Sequence, residues 1–298
     1  MAAEQPSALP DLVVRRNVAG AKETTFAIGG PIQTLFEVNS VAGLSALIKK
    51  FNGMGQKYLV LGAGSNLLIP DGGVALPVIK LGRGFKYLKQ IGEGKFSVGG
   101  ASSLMTLVRE LSEEGYAGLE FAGGIPASFG GALRMNAGAH GAELSGLVSS
   151  VSCVDTAGEV LELAARELRF GYRYAELPPD AVIIAGTIDV VKGEKERILR
   201  KRAEFLAERK SRQPLQLPSA GSVFRNPSPS QSAGWLIEQA GLKGRQIGGA
   251  RISEQHANWI VNPERSASSA NVLELIDLCI KAVNEKHSVI LEPEIVRW

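Results

Sequence analysis

One segment of this 298-residue chain, Phe121–Gly141, contains six glycines among small residues and a proline (FAGGIPASFGGALRMNAGAHG). Glycine loses more backbone freedom on folding than any other residue, so a stretch of this composition costs conformational entropy to order. Such a cost is typical of backbone that must come very close to a flat or anionic ligand, or of strands that pack unusually closely. We favour ligand binding for this segment.

The pattern of apolar residues along the chain predicts several compact parts that mix helices and strands. A chain of 298 residues is too long for one small core. Short apolar runs separated by glycine-rich turns indicate a part over residues 1–81, with a helix over Ser40–Asn52. Residues 82–195 form a second part, and a charged helix leads into a third, residues 196–298. The last strand is predicted to start at Ser288–Leu291.

Cysteines, histidines and charge argue against several classes of protein. Cys153 and Cys279 lie far apart in apolar runs, as buried thiols do, and do not suggest a disulfide framework. The histidines, His140, His256 and His287, lack ligand spacing, so we expect no metal site. A net charge of +3 argues against a nucleic-acid partner. Neither a signal peptide nor an apolar run near the roughly 18–20 residues of a membrane span is visible, so we expect a cytoplasmic protein without membrane insertion.

A turn within YLVLGAGSNLL (Tyr58–Leu68) follows a predicted strand and has the glycine spacing that begins a dinucleotide-binding motif. It departs from that motif, because Leu67 stands where the third glycine belongs and no acidic residue follows about 20 positions later. The turn is therefore open to two interpretations. It is either a plain turn between strands or a nest of backbone N–H groups that holds a diphosphate.

Three further motifs carry side chains suited to chemistry. Arg173 lies in FGYRY, where its planar guanidinium either clamps a carboxylate or stacks on a tyrosine at the surface. Ser222 lies in SAGSVFRNP with no His or Asp near it in sequence, so no hydrolase triad is predicted and a turn serine is the simpler interpretation. Glu292 and Glu294, in LEPEIV, share one face of a predicted strand.

The motifs occur in the order and spacing of one family, and the chain resembles the UDP-N-acetylenolpyruvoylglucosamine reductases from about Thr24 to Val296. Each motif is weak alone, whereas nine in register are specific. They are TTFAIGGP (Thr24–Pro31), LGAGSNLL (Leu61–Leu68), GIPASFGGALRMNAGAHG (Gly124–Gly141), FGYR (Phe170–Arg173), QP (Gln213–Pro214), SAGSVFRNP (Ser219–Pro227), AGWLIEQAGLKG (Ala233–Gly244), IGGARISEQHANWIVN (Ile247–Asn262) and LEPEIV (Leu291–Val296).

This resemblance implies a fold and a reaction. The fold is α+β, with a two-part FAD-binding module of the vanillyl-alcohol-oxidase type followed by a C-terminal α/β substrate-binding domain. The reaction is the NADPH-dependent reduction, through non-covalent FAD, of UDP-N-acetylglucosamine enolpyruvate to UDP-N-acetylmuramate in peptidoglycan precursor synthesis. No separate nicotinamide-binding fold is visible, so we expect NADPH and the substrate to share one site.

The resemblance also assigns residues. Arg173 matches the residue that holds the developing enolate, Ser222 matches the proton donor, and Glu294, preferred to Glu292, matches the acidic residue beside the enolate. Flavin contacts are expected at Gly62, Ala63, Gly64, Ser65, Asn66, Leu67, Gly124, Ile125, Pro126, Ala127, Ser128, Gly130, Gly131, Asn136 and Gly138. Substrate contacts are expected at Tyr172, Arg212, Asn226, Gln255 and His256.

The chain departs from the family pattern in two places. Ala127 and Ser128 follow GIP where many members have a glycine, so the backbone there should be less strained. Only Tyr174–Asp180 separates Arg173 from the next predicted strand, so the chain looks like the short subtype, which lacks a tyrosine-bearing loop over the diphosphate.

Two alternatives to the reductase remain from the sequence alone. One is an FAD-dependent oxidase of the same fold superfamily, for which His140 is the candidate covalent flavin anchor. The other is a nucleotide-sugar-binding module that has no flavin, and a flavin absorption band would exclude it.

Overall fold

The computed structural model of the protein describes residues 5–6 and 11–298. The strands are β1 Gln5–Pro6, β2 Leu12–Ala19, β3 Pro31–Val38, β4 Leu59–Leu61, β5 Leu67–Leu68, β6 Val78–Leu81, β7 Leu88–Gly92, β8 Lys95–Gly99, β9 Tyr116–Ala117, β10 Gly138–Ala139, β11 Ala142–Glu143, β12 Val148–Val154, β13 Val160–Ala164, β14 Phe170–Gly171, β15 Tyr174–Ala175, β16 Val182–Asp189, β17 Val191–Lys192, β18 Ser219–Ser222, β19 Gln246–Ile247, β20 Ala250–Ile252, β21 Trp259–Val261 and β22 Val296–Arg297. The α-helices are α1 Val41–Gly53, α2 Leu104–Glu113, α3 Phe129–Arg134, α4 Lys195–Arg212, α5 Ala233–Gln239 and α6 Ser269–His287.

The chain forms two compact units, each assembled from several stretches. Unit 1 comprises the described residues of Met1–Arg16 together with Thr34–Ala63 and Leu76–Glu208. Unit 2 comprises Asn17–Gln33, Gly64–Ala75 and Arg209–Trp298. The finer division predicted from the sequence, at residues 81/82 and 195/196, stays a prediction. Within the described part of the chain, no helix combines the length and apolar character that a membrane span requires.

The first core of unit 1 lies under α1. This helix begins after Ser40, whose hydroxyl accepts a hydrogen bond from the Gly43 N–H at 3.1 Å and satisfies a donor of the first turn. Leu44, Leu47 and Ile48, which recur at helical spacing, are buried against apolar residues of neighbouring strands. The predicted helix is therefore confirmed, and it packs beside a sheet with strand order β1-β2-β3-β6-β4, in which β3 and β4 both pair parallel to β6.

The second core of unit 1 lies against an antiparallel sheet with strand order β13-β12-β16-β8-β7. Helices α2 and α3 contribute Leu104, Val108, Phe129 and Leu133 to this core, all at most 1% exposed. Ser103 caps α2 through a 3.3 Å hydrogen bond from the Thr106 N–H. Because α3 packs directly on this sheet, the sheet fixes the position of the glycine-rich segment around the helix.

Unit 2 is built on an antiparallel sheet with strand order β18-β21-β20-β19. Its core combines strand residues with apolar residues of α5 and α6, including Leu236, Leu275 and Ile276. The expected last strand at Ser288–Leu291 was wrong. Ser288 ends α6 with a left-handed backbone (φ 55°), and the strand forms later, where β22 pairs parallel to β5.

The loop 64–75 is held onto the N-terminus of α6 by Asp71. Its carboxylate accepts hydrogen bonds from the N–H groups of Ser269 at 2.7 Å and Ala270 at 3.2 Å, and the Asp71 N–H donates to the Ser269 hydroxyl at 3.0 Å. Burial raises the pKa of Asp71, but the hydrogen bonds from Ser269 and Ala270 outweigh that effect and leave its pKa below the ordinary value of 3.8.

We predict that Asp71→Asn lowers the free energy of unfolding at pH 7 by about 1 kcal/mol or less, the scale of a helix-cap substitution. Because the folded-state pKa is depressed, the contribution of the carboxylate is fully present above its ordinary pKa of 3.8 and is lost as pH falls through the folded value. Urea unfolding from pH 7 downwards measures this difference. Asp277→Asn, which removes the same charge from an exposed position on α6, is the control. An Asp71 effect that does not shrink towards low pH would contradict the prediction.

Candidate functional site

In unit 1, backbone hydrogen bonds join the glycine-rich segment to the loop before α2. The N–H groups of Phe129 and Gly130 donate to the carbonyls of Ser102 and Gly100, each at 2.8 Å. A Cβ on Gly130 would lie 3.1 Å from the Ile183 carbonyl oxygen. Close packing against the sheet, the alternative that the sequence left open, therefore accounts for this glycine.

Two other glycines of unit 1 flank the hydroxyl of Ser128. Ser128 is the N-cap of α3, and its hydroxyl accepts a hydrogen bond from the Gly131 N–H at 3.3 Å. A Cβ would lie 2.6 Å from this hydroxyl if built on Gly62 and 3.1 Å if built on Gly131. Both glycines are exposed, so this surface presents backbone without side chains. A flat or anionic ligand such as a flavin dinucleotide fits such a surface, because backbone N–H groups can approach it closely.

Asn136 was predicted to contact the flavin, but its side chain is fully buried. The amide Nδ2 donates to Glu143 Oε2 at 2.8 Å and to the Gly171 carbonyl at 3.1 Å, and Oδ1 accepts from the Ser145 N–H at 3.0 Å. Both amide hydrogens are thus used inside unit 1. This geometry favours a role in holding loops together over direct contact with a ligand.

His140, the anchor considered for a covalent flavin, stacks on a ring of α4. Its imidazole lies 4.1 Å from the Phe205 ring centroid at an interplanar angle of 15°, and Nδ1 lies 3.3 Å from Glu208 Oε2. These contacts fasten the β10–β11 hairpin to the helix. Within residues 5–6 and 11–298, the structure contains no group of three or more His, Cys, Asp or Glu side chains placed to hold a metal ion.

Tyr172 and Arg173 form the two-residue tip of the β14–β15 hairpin. Strand pairing matches Phe170 with Ala175 and Gly171 with Tyr174, which leaves these two residues at the turn. Arg173 has φ 57°, a left-handed conformation that is unfavourable for a residue with a side chain. Its guanidinium carbon lies 5.0 Å from the Tyr172 ring centroid. The stacking that the sequence suggested is therefore present, and the strained backbone is consistent with a functional position.

In unit 2, the second half of the LGAGSNLL turn lies against the C-terminal acidic motif. Gly64 has φ 65°, and a Cβ there would lie 2.1 Å from the Glu23 carbonyl oxygen, so only glycine fits. Asn66 donates from Nδ2 to the Glu294 carbonyl at 3.1 Å and accepts from the Val296 N–H at 3.0 Å. These bonds hold the predicted flavin-binding turn directly beside Glu294.

Strand β18 contains a β-bulge immediately before Ser222. Strand β18 pairs with β21 at Ser219↔Val261 and Ser222↔Trp259, and the register shifts between these pairs at Gly221, which has φ 78°. Directly after Ser222, the Val223 carbonyl accepts a 2.7 Å hydrogen bond from the Glu294 N–H. Unit 2 thus brings Ser222 and Glu294, two residues 72 positions apart in the sequence, onto neighbouring backbone segments.

The two glutamates of the C-terminal motif differ in environment. Glu292 Oε1 lies 3.0 Å from Arg225 Nη1, and the Glu292 side chain is 68% exposed. Glu294 is only partly exposed, and its backbone is tied to Val223 and Asn66. The preference for Glu294 over Glu292 as the acidic residue of the site stays a prediction.

The predicted substrate residues of unit 2 lie at helix ends and in a buried turn. Asn226 Oδ1 accepts from the Ala233 N–H, the first donor of α5, at 3.1 Å, beside the N-cap Ser232. Gln255 Nε2 donates to the carbonyls of Lys210 and Ser211, each at 3.0 Å, at the end of α4 that carries Arg212. These amides position helices, and direct substrate contact stays a prediction for both of them and for Arg212.

The pKa of His256 lies below its ordinary value of 6.5. Burial lowers its pKa most, and the positive charge of Lys243 lowers it further. Its Nδ1 accepts a hydrogen bond from the Asn258 N–H at 3.2 Å, which leaves Nε2 as the nitrogen that carries the proton.

Asn258 is a site residue that the sequence analysis did not single out. Its side chain is 4% exposed and pairs with both backbone groups of Phe224, accepting from the N–H at 2.9 Å and donating to the carbonyl at 2.8 Å. This bidentate contact fixes the backbone just beyond Ser222, the last residue of β18. A polar residue inside the apolar run ANWIV was the available signal, because a buried amide requires a partner.

Comparison with known proteins gives two family-model matches. The FAD binding domain matches residues 32–164, and the UDP-N-acetylenolpyruvoylglucosamine reductase C-terminal domain matches residues 213–298. The predicted α+β fold class, an FAD-binding module followed by a C-terminal substrate-binding domain, is confirmed.

Individual relatives agree over nearly the full length. The UDP-N-acetylenolpyruvoylglucosamine reductase of Anoxybacillus flavithermus is 42% identical over 95% of this chain and 93% of its own length, and that of Bacillus subtilis is 41% identical over 92% and 90%. The crystal structure of UDP-N-acetylenolpyruvylglucosamine reductase from Thermus caldophilus superposes with a TM-score of 0.84 at 38% identity, covering 96% of this chain and 99% of that one.

We predict that Gly62→Ala weakens FAD binding about tenfold, which corresponds to roughly 1.4 kcal/mol. The added Cβ would lie 2.6 Å from the Ser128 hydroxyl, so the cap or the turn must shift. Titration of the apoprotein with FAD measures the dissociation constant. Gly53→Ala is the control, because a Cβ there meets nothing within 4 Å.

A second pair of variants tests the steric origin of this effect. Ser128→Gly removes the crowding hydroxyl, and glycine is tolerated as an N-cap. Gly62→Ala combined with Ser128→Gly should therefore bind FAD no more weakly than Ser128→Gly alone. A further loss in the double variant would show that the crowding of Ser128 is not the cause.

Proposed function

The chain belongs to the UDP-N-acetylenolpyruvoylglucosamine reductase family, and we propose that it reduces UDP-N-acetylglucosamine enolpyruvate to UDP-N-acetylmuramate with NADPH, through non-covalent FAD. This family membership favours the reductase over the oxidase and the non-enzymatic binding module. The observation in the fold that carries the proposal is the 2.7 Å hydrogen bond from the Glu294 N–H to the Val223 carbonyl, which brings the acidic motif beside Ser222.

The reaction adds a hydride to one carbon of a vinyl ether and a proton to the other. When bound, FAD would supply the first part, a hydride that comes from NADPH and goes to the vinyl CH2 carbon, and the backbone at Gly62 and Ser128–Gly131 would hold it. The protein must then stabilise the negative charge that develops on the adjacent carbon and carboxylate, and deliver a proton to that carbon. We assign these two tasks to different side chains.

Ser222 is the proposed proton donor. The glycine bulge before it and the Asn258–Phe224 hydrogen bonds after it fix the backbone on both sides of Ser222. A hydroxyl is a weak acid and can serve only where the acceptor is a strong base, which the enolate provides. Glu294, on the segment bonded to Val223, is the proposed acidic residue beside the enolate.

Arg173 is the proposed clamp for the substrate carboxylate. An arginine guanidinium carries a positive charge and presents two parallel N–H donors, a geometry that matches a carboxylate. A fixed cation aimed at charge that grows during the reaction stabilises the transition state more than the ground state. The left-handed backbone of Arg173 at the hairpin tip is consistent with a position selected for function.

The remaining assignments extend the proposal. Residues 176–181 are all that separate β15 from β16, which supports the short subtype of the family. We further propose that NADPH and the enolpyruvyl substrate use one site in turn, which predicts ping-pong kinetics, and that Tyr172, Arg212, Asn226, Gln255 and His256 contact the substrate. The cytoplasmic location stays a prediction.

We expect the purified chain to carry a flavin absorption band that NADPH bleaches under anaerobic conditions and the enolpyruvyl substrate restores. Stopped-flow spectroscopy follows each half of this cycle separately. A colourless protein that takes up no added FAD would contradict the proposal. So would a reduced flavin that oxygen reoxidises rapidly and the substrate does not, which is the behaviour of an oxidase.

We predict that Ser222→Ala is reduced by NADPH at a near-normal rate and is then reoxidised by the substrate about 10²–10⁴ times more slowly, the usual loss for a positioned general acid. Reduction by NADPH requires no proton from this serine. Ser222→Cys, which retains an ionisable hydrogen, should keep more activity than the alanine variant. Ser230→Ala, which changes an exposed serine eight residues further along the chain, is the control. Equal slowing of both half-reactions would assign Ser222 a structural role.

A further inference from the structure

We propose that Asn136 is a positioning residue for Arg173. It acts by holding the β14–β15 hairpin through the Gly171 carbonyl, and it does not act by contacting the flavin. This inference rests on the proposed role of Arg173 as a carboxylate clamp. Asn136 lies 37 residues from Arg173 in the sequence, and only the fold brings its amide to the hairpin.

The bonding of Asn136 is that of a bridge between loops. Its side chain is 0% exposed, and its two amide hydrogens point to Glu143 Oε2 (2.8 Å) and to the Gly171 carbonyl (3.1 Å). The Ser145 N–H donates a hydrogen bond to Oδ1 at 3.0 Å. The backbone of Asn136 is left-handed (φ 40°), a conformation that Asn adopts more readily than other residues with side chains.

The hairpin needs such support, because each of its strands has only two residues. A short two-stranded hairpin is marginally stable in water on its own. Its tip also contains the unfavourable left-handed backbone of Arg173, which persists only when surrounding contacts hold it. The Asn136 bond acts on Gly171, two residues before Arg173, and so limits the directions in which the guanidinium can lie.

Charge explains why an amide suits this position. An aspartate would have the same shape but would place a second carboxylate at 2.8 Å from Glu143 and would have no N–H for the Gly171 carbonyl. This difference allows the two bonds to be separated by mutation. In Asn136→Asp/Glu143→Gln, the glutamine amide can donate to the aspartate, so the bond between these positions is retained while the bond to Gly171 is lost.

Misplacing a charged group by about 1 Å can slow a reaction on the order of 10²-fold. In the double variant we therefore expect substrate-linked flavin reoxidation to slow roughly 10- to 100-fold. Reduction by NADPH should stay within about twofold of the normal rate, because it does not use the carboxylate clamp. Glu143→Gln alone, which keeps the Gly171 bond, should resemble the unmodified protein in both half-reactions.

Two readouts separate positioning from general damage to the fold. First, hydrogen exchange of the Phe170–Ala175 amides in the flavin-free protein should accelerate about tenfold in the double variant, since the hairpin opens more often. Second, the same substitutions introduced into Arg173→Lys should slow reoxidation by less than about twofold further, because residues that act through one another are not additive.

Asn262→Asp is the matched control. Asn262 is also 0% exposed, and both ends of its amide are hydrogen-bonded. Its Nδ2 donates to the carbonyls of Phe26 (3.2 Å) and Ala27 (3.3 Å), and its Oδ1 accepts from the Ala267 N–H (3.0 Å). It should lower the melting temperature without accelerating exchange in Phe170–Ala175, which shows that loss of a buried amide is not sufficient for the hairpin effect.

Three outcomes would overturn the proposal. If Arg173→Lys slows reoxidation and the double variant does not, Asn136 does not position Arg173. If the effects of the two sites add fully, or both half-reactions slow equally, Asn136 acts through the fold as a whole. If Arg173→Lys leaves reoxidation unchanged, the proposed role of Arg173 fails and this proposal fails with it. In that case, faster exchange in the hairpin would still identify the Asn136–Gly171 bond as the contact that holds it.

Discussion

Irregular backbone can be buried only if its N–H and C=O groups find hydrogen-bond partners. The segments that carry the candidate functional residues are short strands, bulges and turns, which leave such groups outside regular ladders. Buried or partly buried asparagines meet this requirement in both units. Asn136 bonds to Gly171, Asn258 to Phe224 and Asn66 to Glu294. Each of these contacts fixes a backbone position within two residues of a proposed catalytic side chain, or at that residue itself.

Close approach of backbone to backbone is the second constraint on these segments. In unit 2, a Cβ on Gly64 would lie 2.1 Å from the Glu23 carbonyl oxygen, and one on Gly30 would lie 2.1 Å from that of Asp71. Glycine is required at both positions because any side chain would push the two backbone segments apart. In unit 1, by contrast, Gly62 and Gly131 are exposed and crowd only the Ser128 hydroxyl. The glycines of this chain thus serve two purposes, internal packing and an open backbone surface.

Strain at Arg173 and support by Asn136 belong together physically. A left-handed backbone at a residue with a side chain is unfavourable, and it persists where neighbouring contacts leave no better arrangement. The backbone at Ser222 is arranged differently, because the preceding residue, Gly221, adopts the left-handed conformation instead. Arg173 and Ser222 are therefore positioned in different ways, Arg173 by a supported but strained hairpin tip and Ser222 by a glycine bulge.

The sequence alone determined the elements whose signals are local. Ser40 identifies the start of α1 because an N-cap needs only residues within one turn, and the helix itself follows from apolar residues at helical spacing. The motifs in register were sufficient for the family. Tertiary structure alone decided which residues meet across long stretches of chain. The sequence placed the last strand at Ser288–Leu291, whereas the parallel partner β5 draws it to Val296–Arg297. Asn136 lies in a segment whose composition is typical of a ligand-binding loop. Only its burial and its hydrogen bond to the Gly171 carbonyl indicate that it joins two loops. The physical reason is the same in both cases. A hydrogen-bond partner distant in sequence leaves no local pattern, so its contribution becomes visible only when the chain has folded.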